Sequence, residues 1–168
     1  NGTDWDITGI DDVTHTFDGT GRLVRVRDGL GRDVSYTYDG TGHLVSVEAS
    51  TGQKLTLTWD AGRVAQIATV PVAAVGRALV WRYQYTNGRL SSVCHPGYDD
   101  IGTSACTTYT YDANGRLTQS HLPSGRLDFA ITYDPSGRVA TRGDGAGVTT
   151  AFEYLVPNTV RVTDAGGN

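Results

Sequence analysis

A short segment recurs along the chain and constrains its fold more than any other feature of the sequence. One copy reads YTYDGTGHLVSV over residues 36–47, and another reads YTYDANGRLTQS over residues 109–120. Each places an aromatic residue and an aspartate before a glycine, and a basic and an aliphatic residue after it. The aromatic anchors lie 21, 21, 26, 26, 22 and 21 residues apart. A repeat of this length indicates stacked copies of one structural unit.

Six copies are well formed, and a degenerate seventh begins at Tyr154. We therefore expect one array over residues 1–168, with about seven repeats of 21–26 residues and a cysteine loop inserted at 94–106. We assign a structural role to the positions that recur, namely Phe17, Asp18, Gly21, Arg22, Tyr38, Asp39, Gly42, Trp59, Asp60, Gly62, Arg63, Tyr85, Gly88, Arg89, Tyr111, Asp112, Gly115, Arg116, Tyr133, Asp134, Gly137 and Arg138. His43 replaces the arginine of the second copy, and Thr86 replaces the aspartate of the fourth.

The chemistry of the repeat predicts β-hairpins. An aspartate in the pattern D-x-x-G accepts hydrogen bonds from the backbone two residues on, and the glycine then adopts a left-handed conformation that closes a short turn. The pair Asn87-Gly88 is the favoured two-residue hairpin turn. Between turns, apolar and polar residues alternate, as at Val34, Tyr36 and Tyr38. Glycine recurs too often for helices. The sequence therefore predicts an all-β protein of stacked antiparallel hairpins.

The basic residue after the turn glycine has two interpretations. Arg22, Arg63, Arg89, Arg116 and Arg138 form either a ladder that binds a ligand or a structural ladder. In the structural ladder, each guanidinium pairs with a turn aspartate and lies over a neighbouring aromatic ring. We favour the structural ladder because the acid, the arginine and the aromatic residue recur together.

The chain has two cysteines, Cys94 and Cys106, which bracket the segment HPGYDDIGTSA. Two thiols without further ligands do not make a zinc site, and the spacing is not that of a C-x-x-C redox motif. We interpret them as a disulfide that closes a loop of 13 residues. On the loop-entropy account it stabilises the fold by roughly 3 kcal/mol and favours an oxidising compartment. Two separately buried, reduced thiols are the alternative.

Other chemistry is weakly represented. The net charge is -4 without a basic block, which disfavours a nucleic-acid partner, and no apolar run approaches the length of a membrane span. The four histidines have no common spacing, and no nucleophile, phosphate-loop or metal motif is present. Asp99 and Asp100 are carboxylates that calcium would accept, but we interpret them as a solvated turn. We therefore expect no catalytic, cofactor-binding or metal-ligating residues, and no enzyme.

These residues resemble the YD-repeat, or RHS-repeat, family, whose signature is close to Y-D-x-x-G-R-L. The match runs from Phe17 to Tyr154, and the opening NGTDWDI is similar to the family's D-G-T-x-W-x-F lead-in. The family includes bacterial polymorphic toxins, insecticidal toxin-complex subunits, wall-associated proteins and animal teneurins. The resemblance implies a curved, spiralling β-sheet that forms a hollow shell, which in the bacterial toxins encloses a C-terminal toxic domain.

Self-cleaving members of the family carry an aspartate motif near P-x-x-x-x-D-P-x-G-L. The stretch Asp134-Pro135-Ser136-Gly137-Arg138 is similar to its second half. Phe129 stands in place of the leading proline, and Arg138 in place of the leucine. Proline at the second position of a type I turn accounts for this stretch without cleavage. We interpret it as a turn.

The resemblance implies that this chain is a structural segment of a secreted or cell-surface shell that protects a C-terminal toxin or effector domain. The alternative is an extracellular adhesion module that binds a glycan or a protein through Trp5, Trp59 or Trp81 and the cysteine loop. The expected partners are neighbouring repeats of the same parent chain and the enclosed domain. We expect a fragment of a longer shell, whose outer strand edges associate with other copies.

Overall fold

The computed structural model describes residues 3–71, 76–97, 105–156 and 158–167. Its elements are fifteen β-strands: β1 (Trp5–Thr8), β2 (Thr14–Phe17), β3 (Leu23–Arg27), β4 (Asp33–Tyr38), β5 (Leu44–Ala49), β6 (Lys54–Asp60), β7 (Arg63–Thr69), β8 (Val80–Thr86), β9 (Arg89–Cys94), β10 (Cys106–Tyr111), β11 (Leu117–His121), β12 (Leu127–Tyr133), β13 (Val139–Asp144), β14 (Thr149–Leu155) and β15 (Thr159–Thr163). Within the described residues, no helix has the length and apolar character that crossing a membrane requires.

The strands are hydrogen-bonded in chain order, from β1 to β15, and neighbours such as β4 and β5 or β14 and β15 run antiparallel. Each inner strand is therefore hydrogen-bonded to the strands that come before and after it in the sequence. The prediction of an all-β protein built from successive antiparallel hairpins is confirmed. This order is what a repeat of two short strands and two turns produces when no connection skips a neighbour.

The chain forms two compact units, Asn1–Arg82 and Tyr83–Asn168. The first unit contains β1 to β7 and the start of β8, and the second contains the end of β8 and β9 to β15. The boundary thus falls inside the strand β8.

Two kinds of turn connect the strands. In the longer kind, Gly42 has φ 89° and Gly115 has φ 80°, and the strand pairing shifts by one residue beside each turn. A left-handed glycine followed by such a bulge matches the twist of the flanking strands. In the shorter kind, both central residues are left-handed, as at Asn87 (φ 50°) and Gly88 (φ 78°). This is the two-residue hairpin turn that the Asn-Gly pair predicts.

The strand register separates an apolar from a polar face. In the first unit, Val47 on β5 lies between Tyr36 and Leu55, so these three side chains share one face. The next residue, Glu48, lies between Ser35 and Lys54 on the opposite face. Leu55 remains 40% exposed. Among the described residues, the buried hydrophobic side chains are confined to Cys94, Ala105 and Cys106. Contacts between neighbouring strands therefore stabilise this fold more than a deep core does.

Candidate functional site

The turn aspartates are held by hydrogen bonds from their own turns. Asp18 accepts hydrogen bonds from the Thr20 hydroxyl at 2.6 Å, the Thr20 backbone N–H at 2.8 Å and the Arg22 backbone N–H at 3.0 Å. The Thr20 hydroxyl, and then the Arg22 N–H, lower the pKa of Asp18 to about 2. Asp39 is bound in the same way by Thr41 and His43, and its pKa is also lowered to about 2. Hydrogen bonds that favour the carboxylate keep these groups ionised.

The basic residue after the glycine pairs with the aspartate of its own turn. The side chains of these pairs are partly exposed to solvent, so we expect each pair to add little to the free energy of unfolding and to act mainly by fixing the position of the basic side chain. His43 occupies the same place beside Asp39, at 3.6 Å. The arginine–aspartate distances are 3.3 Å for Arg22–Asp18, 2.6 Å for Arg32–Asp28, 2.7 Å for Arg116–Asp112 and 2.8 Å for Arg138–Asp134.

Four of these basic residues, all except Arg32, also lie against the aromatic anchor of the next repeat. A guanidinium over an aromatic ring is attracted by the ring's negative face. Where histidine and tryptophan replace arginine and tyrosine, the two rings stack instead. The distances are 5.3 Å for Arg22 to Tyr38, 4.4 Å for Arg116 to Tyr133, 4.2 Å for Arg138 to Tyr154 and 4.4 Å between the rings of His43 and Trp59. In each of these repeats, the basic residue therefore contacts both the aspartate of its own turn and the aromatic anchor of the repeat that follows.

A second link between repeats was not predicted from the sequence. The polar atom of an aromatic anchor donates a hydrogen bond to the carbonyl of the aliphatic residue that follows the turn of the preceding repeat. The distances are 2.9 Å for Tyr38 Oη to Leu23 O, 2.8 Å for Trp59 Nε1 to Leu44 O, 2.9 Å for Tyr111 Oη to Leu90 O and 2.7 Å for Tyr133 Oη to Leu117 O. The signal was available in the sequence, because the later anchors are tyrosine or tryptophan. The first anchor, Phe17, has no donor and stacks on Trp5 at 4.5 Å.

Two copies of the repeat have shorter turns. In the third, Asp60 lies directly opposite Arg63 in the hairpin between β6 and β7. In the fourth, Thr86 stands where the turn acid would be, and Arg89 makes no hydrogen bond or ion pair through its side chain within the described residues. The guanidinium of Arg89 lies against Gly115, where a Cβ atom would clash with it. The aromatic anchor of this fourth copy, Tyr85, is 38% exposed.

The two cysteines form a disulfide, as predicted. Cys94 and Cys106 lie opposite each other on β9 and β10, and their sulfur atoms are 2.08 Å apart. Both residues are buried, and the His95 N–H donates to the Ala105 carbonyl at 2.9 Å just beyond them. The disulfide therefore closes the base of the inserted loop. The calcium interpretation of Asp99 and Asp100, and the turn that we favoured for them, fall outside the described residues.

The three tryptophans considered for ligand binding differ in their surroundings. Trp5 is 46% exposed, with one side of its ring stacked on Phe17. Trp59 is occupied by its contacts with His43 and Leu44. Trp81 lies on β8 opposite Ile67. Of the three, Trp5 therefore presents the largest unoccupied aromatic surface that the structure records.

Asp134, from the stretch that is similar to the family's cleavage motif, is held by contacts within its own turn. Asp134 accepts a hydrogen bond from the Arg138 backbone N–H at 2.9 Å and pairs with the Arg138 side chain. The Arg138 N–H and then its guanidinium lower the pKa of Asp134, while partial desolvation opposes them. Across the ranges that the structure describes, no three histidine, cysteine, aspartate or glutamate side chains come together as a metal site would require.

Comparison with known proteins identifies the family. The family described as Teneurin YD-shell matches residues 4–164. No curated protein matches the sequence. Two solved structures are similar in fold: "Crystal Structure of TcdB2-TccC3-Cdc42" and "Crystal Structure of TcdB2-TccC3 without hypervariable C-terminal region". Each has a TM-score of 0.50 and 15% identity over 94% of this chain and 10% of the matched chain. The chain thus spans about a tenth of the length of those solved chains.

Proposed function

Because this chain belongs to the Teneurin YD-shell family, we propose that it is a segment of a β-sheet shell that encloses and protects a C-terminal toxin or effector domain. The work of such a segment is enclosure rather than chemical reaction. The observation that carries the proposal is the chain of contacts from repeat to repeat. At Asp112, Arg116 and Tyr133, an acid orients an arginine, and the arginine lies over the next aromatic anchor. Acidic and basic side chains, which are catalytic groups in many enzymes, here make the contacts that join one repeat to the next.

We propose further that the chain is one part of a longer shell. The chain covers 10% of the length of each of the two solved chains, and this share supports a parent protein that is longer than the segment described. The resemblance to the bacterial toxin shells supports an enclosed C-terminal domain. The buried disulfide supports a secreted or cell-surface location, because such bonds persist in oxidising compartments.

The experiment that tests enclosure uses the full-length parent protein. Its reading frame is first sequenced on both sides of residues 1–168, to establish whether more repeats and then a distinct C-terminal domain follow. The protein is then treated with trypsin under native conditions, and the peptides are identified by mass spectrometry. We expect peptides from the C-terminal domain to appear much later than in the same protein opened with urea. An absent downstream domain, or one that is cut equally fast in both conditions, would contradict the proposal.

One observation favours the alternative of an adhesion module. Trp5 has a half-exposed ring that is held in place by Phe17, and a fixed aromatic surface is suited to a sugar or a protein side chain. Adhesion at this position predicts that Trp5→Ala abolishes binding of the parent protein to cells or to a glycan array. Unchanged binding by this variant would remove Trp5 from consideration.

A further inference from the structure

Arg89 carries a positive charge that its own turn does not neutralise. In four other turns, an arginine pairs with the turn aspartate at 3.3 Å or less. Thr86 occupies the acidic position of this repeat, and within the described residues the Arg89 side chain forms no ion pair or hydrogen bond. Arg89 is also exposed. A free guanidinium presents a planar set of donors that fits a carboxylate with two parallel hydrogen bonds.

This guanidinium lines a groove of about 420 Å³ in the second unit. Val93 on β9 lies opposite Thr107 on β10, so residues two and four positions further along each strand share the same face. That alternation brings Arg89 and Ser91 beside Tyr109 and Tyr111. Thr86, Asn87 and Asp112 complete the part of the lining that bears on a ligand.

The lining determines which anion would fit. Asp112 is at the groove, and its pKa is lowered by the Arg116 backbone N–H and side chain, so it is a carboxylate that Arg116 already pairs. A neighbouring carboxylate opposes a doubly charged ligand such as phosphate more strongly than a singly charged one. Arg89 is the one unpaired cation that the described residues contribute to this lining. A single carboxylate is therefore the anion that the groove accommodates best.

The rest of the lining is suited to hydroxyl groups and to the flat face of a sugar ring. Thr86, Asn87 and Ser91 supply neutral donors and acceptors, and two tyrosines supply aromatic surface. Tyr111 already donates its hydroxyl proton to Leu90 O at 2.9 Å and retains acceptor capacity. Burial raises the pKa of Tyr109, so its phenol stays a neutral donor and acceptor at physiological pH.

We propose that this groove binds an acidic sugar of the uronic acid class, with the sugar carboxylate paired to Arg89 and the sugar hydroxyls facing the neutral side chains. The site differs from the tryptophans and the cysteine loop considered for adhesion. It does not rest on the proposed enclosure, since a shell segment can bind a sugar whether or not it surrounds another domain.

The test measures binding of galacturonic acid to the 168-residue chain by calorimetry or NMR titration, with galactose and acetate as reference ligands. Arg89→Gln removes the charge. Thr86→Asp restores the acid that other turns contain, so that Arg89 is paired internally without being removed. Arg126→Gln is the matched control, because Arg126 is also exposed, also lacks a turn acid and does not line the groove. Circular dichroism verifies that each variant is folded.

We expect galacturonic acid to bind more tightly than galactose or acetate, and Arg89→Gln and Thr86→Asp each to weaken it by at least about tenfold. Arg126→Gln should leave the affinity unchanged. If Arg89→Gln does not fold, Thr86→Asp alone decides. Absence of binding to the unaltered chain, equal binding by Thr86→Asp, or equal affinity for acetate would overturn the proposal.

Discussion

Arg116 shows at the scale of one residue how a repeat is joined to the next. Its guanidinium bonds Asp112 at 2.7 Å and lies 4.4 Å from the centre of the Tyr133 ring. Tyr133 in turn donates to Leu117 O at 2.7 Å, back towards the turn that holds Arg116. The acid orients the cation, the cation covers the ring, and the ring hydroxyl satisfies a carbonyl. Each polar group is thus paired with another, although these side chains are only partly buried.

The hydroxyl group of the aromatic anchor Tyr133 can be tested by a single substitution. We expect Tyr133→Phe to lower the free energy of unfolding by about 1 kcal/mol, because it removes a hydrogen bond to Leu117 O while it retains the ring. The control is Tyr36→Phe, since the Tyr36 hydroxyl makes no hydrogen bond within the described residues. Urea unfolding measures both variants. Equal effects of the two substitutions would show that the anchor hydroxyl has no special role.

The turn aspartates predict a dependence on acid pH. The folded pKa of Asp39 is lowered to about 2, below its ordinary value of 3.8, by hydrogen bonds from the Thr41 hydroxyl and the His43 backbone N–H. A group with a lowered pKa binds protons more readily in the unfolded chain. Its contribution to stability is therefore complete above the ordinary value and is lost as the pH falls from about 4 towards about 2.

The variant Asp39→Asn removes this titration and keeps a side chain that accepts hydrogen bonds in a turn. We expect thermal unfolding midpoints, measured at intervals between about pH 5 and pH 2, to fall less steeply for Asp39→Asn than for the unaltered chain. Asp6→Asn serves as the control, because the Asp6 carboxylate accepts no hydrogen bond within the described residues. If the unfolding midpoint of Asp39→Asn falls with pH as steeply as that of the unaltered chain, the hydrogen bonds to Asp39 do not explain the loss of stability in acid.

At the scale of strands and turns, local chemistry determined most of what could be predicted. The Asp-x-x-Gly and Asn-Gly patterns locate the turns because the aspartate side chain and the left-handed glycine act within four residues. The disulfide followed from the cysteine count and spacing. The hydrogen bond from Tyr133 to Leu117 O was not predicted, since it depends on the register between strands that are separated by a turn. The groove at Arg89 was also missed, although Thr86 in place of an acid was its visible signal.

The disulfide makes a prediction at the same scale. Cys94 and Cys106 join neighbouring strands at the base of a loop, so reduction increases the freedom of the unfolded chain. We expect the reduced protein to lose roughly 3 kcal/mol of unfolding free energy. The measurement is urea unfolding with and without dithiothreitol. The double variant Cys94→Ala/Cys106→Ala should have a lower midpoint that dithiothreitol does not change. A midpoint of the unaltered protein that is insensitive to reduction would contradict the prediction.

At the scale of the whole molecule, the sheet has many strands and few buried hydrophobic side chains among the described residues. Hydrogen bonding joins fifteen strands in chain order, while the buried hydrophobic side chains among the described residues are confined to the disulfide region. Stability must therefore come from many similar contacts between neighbours, as in other repeat proteins. A sheet of this kind is open at both ends of the hydrogen-bonded order, where the outer strands carry backbone groups that another strand can satisfy.

The outer strand β15 allows a test of self-association. Val160 is 48% exposed on this strand and lies opposite Tyr154 on β14. We expect the average mass of the 168-residue chain in light scattering to rise with concentration, as strands of different copies pair. A lysine on an edge strand opposes such pairing by repulsion and solvation, so Val160→Lys should reduce the rise in mass and leave only pairing through the other edge strand, β1. Val148→Lys is the matched control, since Val148 is also 48% exposed but precedes β14, an inner strand. If the mass is independent of concentration, or if Val148→Lys suppresses association equally, pairing through the β15 edge is wrong.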